Sequence, residues 1–366
     1  MQSSPFKKLL LGLLLLAMGA ALLLHFINSE LKPQEKAPPK ISKSGFEYHY
    51  TPPALPVSNN KPEAEPESDA AGQPKLPREK VEAWLAKHNR NAMSLLAAFR
   101  AMGDTNYLNE AATNFPNDPH VELAVLARDE FPADRHKWLD LFKASSPSNS
   151  LANYFSAQDY FKNGKPDEAV QELLAASGKS KFDNHGMEAQ LDAEELYLDS
   201  GKSLREAASF GLSDMSEENL PELSTIKRLT SAIAELQKKQ MDSGDSTSVA
   251  NLSQMEMVLG SQLSSGDSGK YSINQLVSLA TETAALLHLD QNRAYDFLDG
   301  QTPAQVLQEN KQQKVALRGM LTNFQAAYPS LTDAELNNYV QRSRIYGEAA
   351  AMQWVVQQHP PASPAK

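Results

Sequence analysis

A chain of 366 residues without cysteine excludes disulfides, thiolate metal sites, cysteine nucleophiles and the lipidation of bacterial lipoproteins. The net charge of -10 argues against a nucleic-acid partner, because proteins bind nucleic acid mainly by neutralising its phosphates with Lys and Arg. This acidic balance also gives little attraction to anionic lipid headgroups.

The first predicted element is an apolar run at residues 9–27, preceded by Lys7 and Lys8. A helix of this length rises about 28 Å, close to the roughly 30 Å hydrocarbon core of a bilayer. Basic residues on a short N-terminal flank favour keeping that end in the cytoplasm. We therefore expect residues 1–8 to be cytoplasmic, residues 9–27 to be a transmembrane signal anchor, and the remaining chain to be extracytoplasmic, which is the periplasm in a Gram-negative bacterium.

A cleavable signal peptide is the alternative interpretation of the same run. Signal peptides carry about 7 to 15 apolar residues before a small-x-small cleavage site. The small cluster Gly19–Ala21 lies inside the run, and the residues directly after residue 27 have no A-x-A pattern. We therefore expect the run to stay attached.

Residues 28–78 predict an extended, disordered linker, because ten prolines and an acidic stretch leave too little apolar surface to offset the ordering entropy. The linker would hold a folded domain away from the membrane. Its aromatic cluster at Gly45–Tyr50 could add as a strand to the sheet edge of a partner, or could be a few stray aromatics in a spacer.

From residue 79 to residue 358 the sequence predicts an all-α fold. Apolar residues recur three and four positions apart, as in the run at 81–102, and alternation typical of strands is scarce. Gly, Pro, Asn and Ser mark the breaks between helices. The breaks lie at Met102–Asp104, Phe115–Asp118, Ser146–Asn149, Asn163–Pro166 and Ser200–Ser203.

Two similar segments indicate repeated helix pairs. At 160–169 and again at 197–207, a Tyr ends one helix, a Gly follows four residues later, and a Glu-Ala pair starts the next helix. Two proline-led helix openings also stand 31 residues apart, at 115 and 146. Spacings in the thirties with paired short helices are typical of an α-solenoid.

The segment 150–178 resembles a tetratricopeptide repeat (TPR), with neighbours that match loosely over 116–211. The resemblance departs at Asn153, Ser156 and Lys181, where that family has Trp, Leu and Pro. It implies TPR-like helical repeats over 79–215, with small residues letting two helices approach and larger ones filling the gap. The matching packing positions are Ala157, Tyr160, Gly164, Ala169, Leu173 and Ala176.

The region 216–358 does not keep this period. Longer helices are predicted at 218–241, 247–264, 271–289, 303–327 and 331–357, either as an irregular continuation of the solenoid or as a separate bundle. Residues 359–366 predict a disordered tail.

The sequence contains only weak matches to catalytic and metal-binding motifs. Gly266–Gly269 reads GDSG, like the nucleophile turn of trypsin-like proteases, but Lys270 follows and no β-barrel pattern surrounds it. The histidines are scattered, and His185 with Glu188 forms only one i, i+3 pair, whereas zinc needs three or four converging ligands. We therefore expect no enzyme activity, no metal and no cofactor.

The leading functional hypothesis is a membrane-tethered, non-enzymatic scaffold or adaptor that binds a protein or peptide partner. In the family that the chain resembles, first helices line a concave groove, and the matching outward positions here are Tyr154, Gln158 and Lys162. The alternative is a structural or assembly subunit of an envelope complex or homo-oligomer. A third hypothesis is a divergent enzyme on a helical scaffold.

Overall fold

The computed structural model describes residues 76–213 and 220–360, and the predicted all-α fold is confirmed there. Segment 1–8, the predicted anchor 9–27, linker residues 28–75 and tail residues 361–366 lie outside the described residues. In the part that the structure describes, no helix combines the length and the apolar character needed to cross a membrane.

The described ranges contain fifteen α-helices. They are α1 (Arg78–Lys87), α2 (Ala92–Met102), α3 (Thr105–Asn114), α4 (Pro119–Arg128), α5 (Arg135–Ser145), α6 (Leu151–Lys162), α7 (Pro166–Ser177), α8 (Gly186–Asp199), α9 (Leu204–Ser213), α10 (Pro221–Asp242), α11 (Ser246–Leu263), α12 (Ser272–Leu286), α13 (Pro303–Ala327), α14 (Asp333–Tyr346) and α15 (Glu348–Gln358). Each of the five breaks predicted above lies between two of these helices.

The helix ends follow local sequence signals. Thr302 and Thr332 each form a capping box with the residue three positions later, which satisfies free N–H groups at the starts of α13 and α14. Proline occupies the first position of α4, α7, α10 and α13, where its missing N–H has no consequence.

The helix predicted at 331–357 is wrong in one respect, because it breaks at Gly347 into α14 and α15. Gly347 has a φ of +90°, a conformation that helical residues do not adopt and that glycine reaches without a Cβ clash. The run at 81–102 breaks similarly between α1 and α2, where Asn89 and Arg90 have positive φ values.

Helices α6 and α7 pack against each other around small residues. Ala157 of α6 and Ala169 of α7 are fully buried, Leu173 and Ala176 are buried beside them, and Tyr160 is half-buried against the same core. Gly164, with a φ of +70°, turns the chain between the two helices. Small residues at such a contact let two helix backbones approach closely.

Later helices fold back onto earlier ones. Helix α8 packs against α1 and α2, α10 packs against α4 and α6, and α11 packs against α7. One hydrophobic cluster accordingly contains residues from Leu76 through Val277, on both sides of the predicted boundary at 215/216. Helices α10 and α11 therefore share a core with the repeat-like region and do not form a separate bundle.

The last three helices build a second cluster. Phe324 of α13, Tyr339 of α14 and Val355 of α15 pack there with Ala208 of α9. Arg344 of α14 forms an ion pair with the buried Glu194 of α8, which connects this cluster to the main body. Val306 of α13 lies in a third hydrophobic cluster, together with Val249, Leu286, Leu289 and Leu298.

Candidate functional site

Tyr154 does not project outward, so its predicted place on an exposed binding face is wrong. The side chain is fully buried, and its hydroxyl donates a hydrogen bond of 2.7 Å to Oε1 of Gln262 on α11. Burial raises the pKa of Tyr154 far above its ordinary value. The physical reason is the return of the chain, since α10 packs on α6 and α11 reaches the same face.

Gln158 and Lys162 lie further along α6. Gln158 is half-buried, and its Oε1 atom is buried without a hydrogen-bond partner among the described residues. Lys162 is exposed at the C-terminal end of the helix. The three residues therefore do not form one open surface, because burial increases steadily from Lys162 back to Tyr154.

A wide cleft lies elsewhere, between the start of α11 and the loop that connects α12 to α13. It encloses about 590 Å³. Pockets of about 300 to 1,000 Å³ are typical of ligand sites. The α11 wall carries the side chains of Ser246, Thr247, Ala250, Asn251 and Gln254.

The opposite wall is the loop from Arg293 to Phe297. The rings of Tyr295 and Phe297 lie 5.4 Å apart between centroids, and the guanidinium carbon of Arg293 lies 5.2 Å from the Tyr295 centroid. Such a cation–π contact favours a fixed arginine orientation. Both rings are half-buried and so present only part of their surface to the cleft.

This loop is held rigidly by its own backbone. The N–H of Tyr295 donates to the carbonyl of Gln301 at 3.1 Å, and the Tyr295 carbonyl accepts from Leu298 at 3.0 Å and from Gly300 at 3.1 Å. Leu298 is buried in the third hydrophobic cluster, against Val249 and Leu286. The aromatic wall is therefore preorganised, which lowers the entropy lost on binding.

The chemistry of the cleft is mixed. Asn251 and Gln254 are exposed and offer both donors and acceptors, Arg293 supplies a cation, and the two rings supply apolar faces. An arrangement of this kind can hold an extended chain through hydrogen bonds and ring contacts.

The GDSG segment is structural. Ser268 is buried in a short 3-10 turn between α11 and α12, and its hydroxyl donates to the carbonyl of Phe182 at 2.9 Å. A serine held in this way is not available as a nucleophile.

The residues of the cleft do not stand out in the sequence. Arg293, Tyr295 and Phe297 lie in the gap between two predicted helices, where helical periodicity carries no information. The available signal was a short aromatic and basic cluster in an otherwise polar connection.

Comparison with known proteins gives no relative from which a role could be transferred. No family model, curated protein or solved structure matches this chain.

Proposed function

We propose that this protein is a membrane-tethered, non-enzymatic helical scaffold that binds an extended segment of a partner protein in the cleft between α11 and the Arg293–Phe297 loop. The observation that carries the proposal is the cleft itself, with its rigid aromatic wall facing exposed amide side chains. Aromatic residues and Arg dominate binding energy at protein interfaces, while amides provide adaptable hydrogen bonds.

The proposal includes the location of the protein. Residues 9–27 would anchor the chain with residues 1–8 in the cytoplasm, and the linker 28–78 would hold the helical body on the extracytoplasmic side. A tethered body meets membrane-associated partners at a high effective concentration, so that a cleft of moderate affinity suffices.

The TPR-like interpretation remains part of the proposal for α6 and α7 alone. Their small-residue contact and the Gly164 turn support it. A partner groove on the α6 face is not proposed, because α10 and α11 already cover that face.

An assembly role is the second candidate, and a specific observation favours it. Leu191 and Leu198 of α8 are 40% and 44% exposed, and they stand two helical turns apart on the same face. A second copy of this chain, or a subunit of an envelope complex, would bury such a pair. The molecular mass of the detergent-solubilised full chain, measured by light scattering, distinguishes a monomer from a homo-oligomer.

Site-directed photocrosslinking in the native membrane tests the cleft. A benzophenone amino acid replaces Gln254, which is exposed in the cleft, and in a matched control it replaces Gln313, which is exposed in the middle of α13. We expect a crosslinked partner from position 254 and none from position 313. The change Arg293→Glu should abolish the crosslink at 254 without changing the melting temperature.

Two outcomes would contradict the proposal. Equal crosslinks from both positions would show non-specific proximity, and a crosslink at 254 that Arg293→Glu leaves unchanged would show that the Arg293 cation does not take part in binding. Self-crosslinking at 254 alone would favour the assembly role.

A further inference from the structure

Three side chains from two distant segments converge at one point on the main body. His120 lies in the first turn of α4, His185 directly precedes α8, and Glu188 lies in the first turn of α8. One ligand atom from each lies within 4.8 Å of the other two. The two imidazole rings are 4.1 Å apart between centroids. We propose that His120, His185 and Glu188 bind a divalent transition-metal ion of the zinc type.

The two histidines share a local arrangement that directs one nitrogen of each ring. Asp118 stands two residues before His120, and Asp183 stands two residues before His185. Each aspartate accepts a hydrogen bond of 2.9 Å from the backbone N–H of its histidine. The side-chain carboxylates thereby lie beside the Nδ1 atoms, at 3.0 Å for His120 and 3.6 Å for His185.

A carboxylate beside Nδ1 favours the proton on that nitrogen, which leaves the lone pair on Nε2. This is the usual arrangement behind a metal-bound histidine, where the outer carboxylate fixes the ring and increases its basicity. The Nε2 atom of His185 is buried and has no hydrogen-bond partner within the described ranges. A buried ring nitrogen without a partner is costly, and a metal ion would satisfy it.

The donor set selects the class of metal. Two imidazoles and a carboxylate suit Zn²⁺, and also Co²⁺ or Ni²⁺, whereas Mg²⁺ and Ca²⁺ prefer oxygen ligands throughout. Bonds of about 2.0 to 2.2 Å in a tetrahedron place ligand atoms roughly 3.4 Å apart. Atoms that lie within 4.8 Å of one another therefore approach by at most about 1.4 Å on binding, and Glu188 is exposed and free to rotate toward the rings.

Space for a fourth ligand lies beside the rings. A cavity of about 60 Å³ is lined by His120, His185, Asn184 and Glu222. Liquid water occupies about 30 Å³ per molecule, so the cavity has room for a metal-bound water.

The local charge balance favours a cation. Two arginines line the same cavity, Arg100 and Arg128, but Arg100 interacts with the carboxylate of Asp192. Against these two positive charges stand five acidic side chains around the histidines, which are Asp118, Asp183, Glu188, Asp192 and Glu222.

The site would connect α4 to α8, two helices that both pack on α2. In a chain without cysteine, a metal is the remaining strong crosslink between separate segments. The inference is independent of the proposed partner cleft, because none of its residues lines that cleft.

Metal titration of the chelator-treated full chain in detergent tests the site. We expect one Zn²⁺ per chain by calorimetry, and visible absorption of tetrahedral type when Co²⁺ is used as the probe. His185→Asn should weaken Zn²⁺ binding at least about 100-fold, because it removes a ligand outright, while Asn tolerates the positive φ of residue 185. Asp118→Asn, which keeps a helix cap, should weaken binding about 10- to 100-fold.

Matched variants control for folding. His136→Asn changes an exposed histidine, and Glu195→Gln changes an exposed glutamate of α8, and both should bind Zn²⁺ as the unchanged protein does. Glu188→Gln alters an exposed side chain and should lose affinity without loss of helicity. The inference is overturned if Zn²⁺ fails to bind at one per chain, if the ligand and control variants lose affinity equally, or if inorganic phosphate occupies the site in place of Zn²⁺.

Discussion

The hydroxyl of Tyr154 donates a hydrogen bond to the side chain of Gln262, 108 residues later in the chain. Gln262 in turn donates from Nε2 to the carbonyls of Ala176 at 3.1 Å and Lys179 at 2.8 Å. One amide therefore joins α11 to α6 and to the end of α7, and its bonds to Tyr154 and Ala176 are buried away from water. This contact closes the face that an open repeat would offer to a partner.

The change Tyr154→Phe should destabilise the protein by about 1 to 3 kcal/mol, because it leaves the Gln262 acceptor buried and unsatisfied. Denaturant unfolding followed by circular dichroism measures the loss. Tyr160→Phe on the same helix is the control and should change stability by less than about 0.5 kcal/mol, since Tyr160 is only half-buried. Equal effects of the two changes would contradict the Tyr154 contact.

The contact between α6 and α7 is tested by enlarging a small residue. Ala169 is fully buried between the two helices, so Ala169→Trp should overpack the pair and cost about 1 to 3 kcal/mol or more. Ala175→Trp makes the same change on the exposed side of α7 and should be nearly neutral. An unchanged melting temperature for the first variant would rule out the close helix contact.

Because Glu256 is buried, the free energy of unfolding should depend on pH with the opposite sign to that expected for a paired carboxylate. Glu256 is fully buried, neither of its side-chain oxygens has a partner in the described part of the chain, and burial raises its pKa well above the ordinary value of 4.5. Below about pH 4 the folded and unfolded chains both hold the proton. As the pH rises, the unfolded chain releases the proton first, which destabilises the folded state by about 1.4 kcal/mol per pH unit until the folded group also ionises.

The variant Glu256→Gln removes this titration. Its free energy of unfolding relative to the unchanged protein should therefore rise from pH 4.5 toward pH 7, as measured by urea unfolding at a series of pH values. Glu235→Gln, at an exposed position of α10, should show no such trend. A relative stability that falls with pH would instead indicate a charged and paired Glu256.

Replacement of glycine by alanine should change stability in opposite directions at Gly269 and at Gly319. A Cβ at Gly269 would lie 2.1 Å from the backbone oxygen of Ser264, so Gly269→Ala should destabilise the α11–α12 junction by about 1 to 3 kcal/mol or more. Gly319 lies inside α13, and a Cβ there would meet no atom within 4 Å beyond its own stretch of helix backbone. Gly319→Ala should therefore stabilise the protein by about 0.5 to 1 kcal/mol. Thermal unfolding of both variants checks the contrast, and similar melting temperatures would refute it.

Much of the local structure was predictable from the sequence. The breaks near Gly103, Gly164 and Gly201 follow from turn chemistry, and α13 has the bounds predicted from its helical periodicity. These features depend on residues within a few positions of one another. The break at Gly347 was also signalled locally, but an apolar pattern on both sides concealed it.

The candidate sites were not predictable in the same way. Tyr154 has the sequence position of an exposed groove residue, and only the packing of α10 and α11 decides that it is buried. His120 stood alone in the sequence, whereas the fold places its ring against His185. Glu256 likewise sits at a helical position whose burial depends on neighbouring helices.

The sequence by itself determined an all-α chain without disulfides, the positions of most turns, and the small residues that let α6 and α7 approach. These properties follow from hydrogen bonds and side-chain preferences that act over three or four residues. Only the tertiary structure decided which helix faces stay open, because that depends on apolar burial between segments far apart in the chain. The same long-range burial that closes the α6 face leaves the cleft beside Tyr295 open and brings His120 to His185.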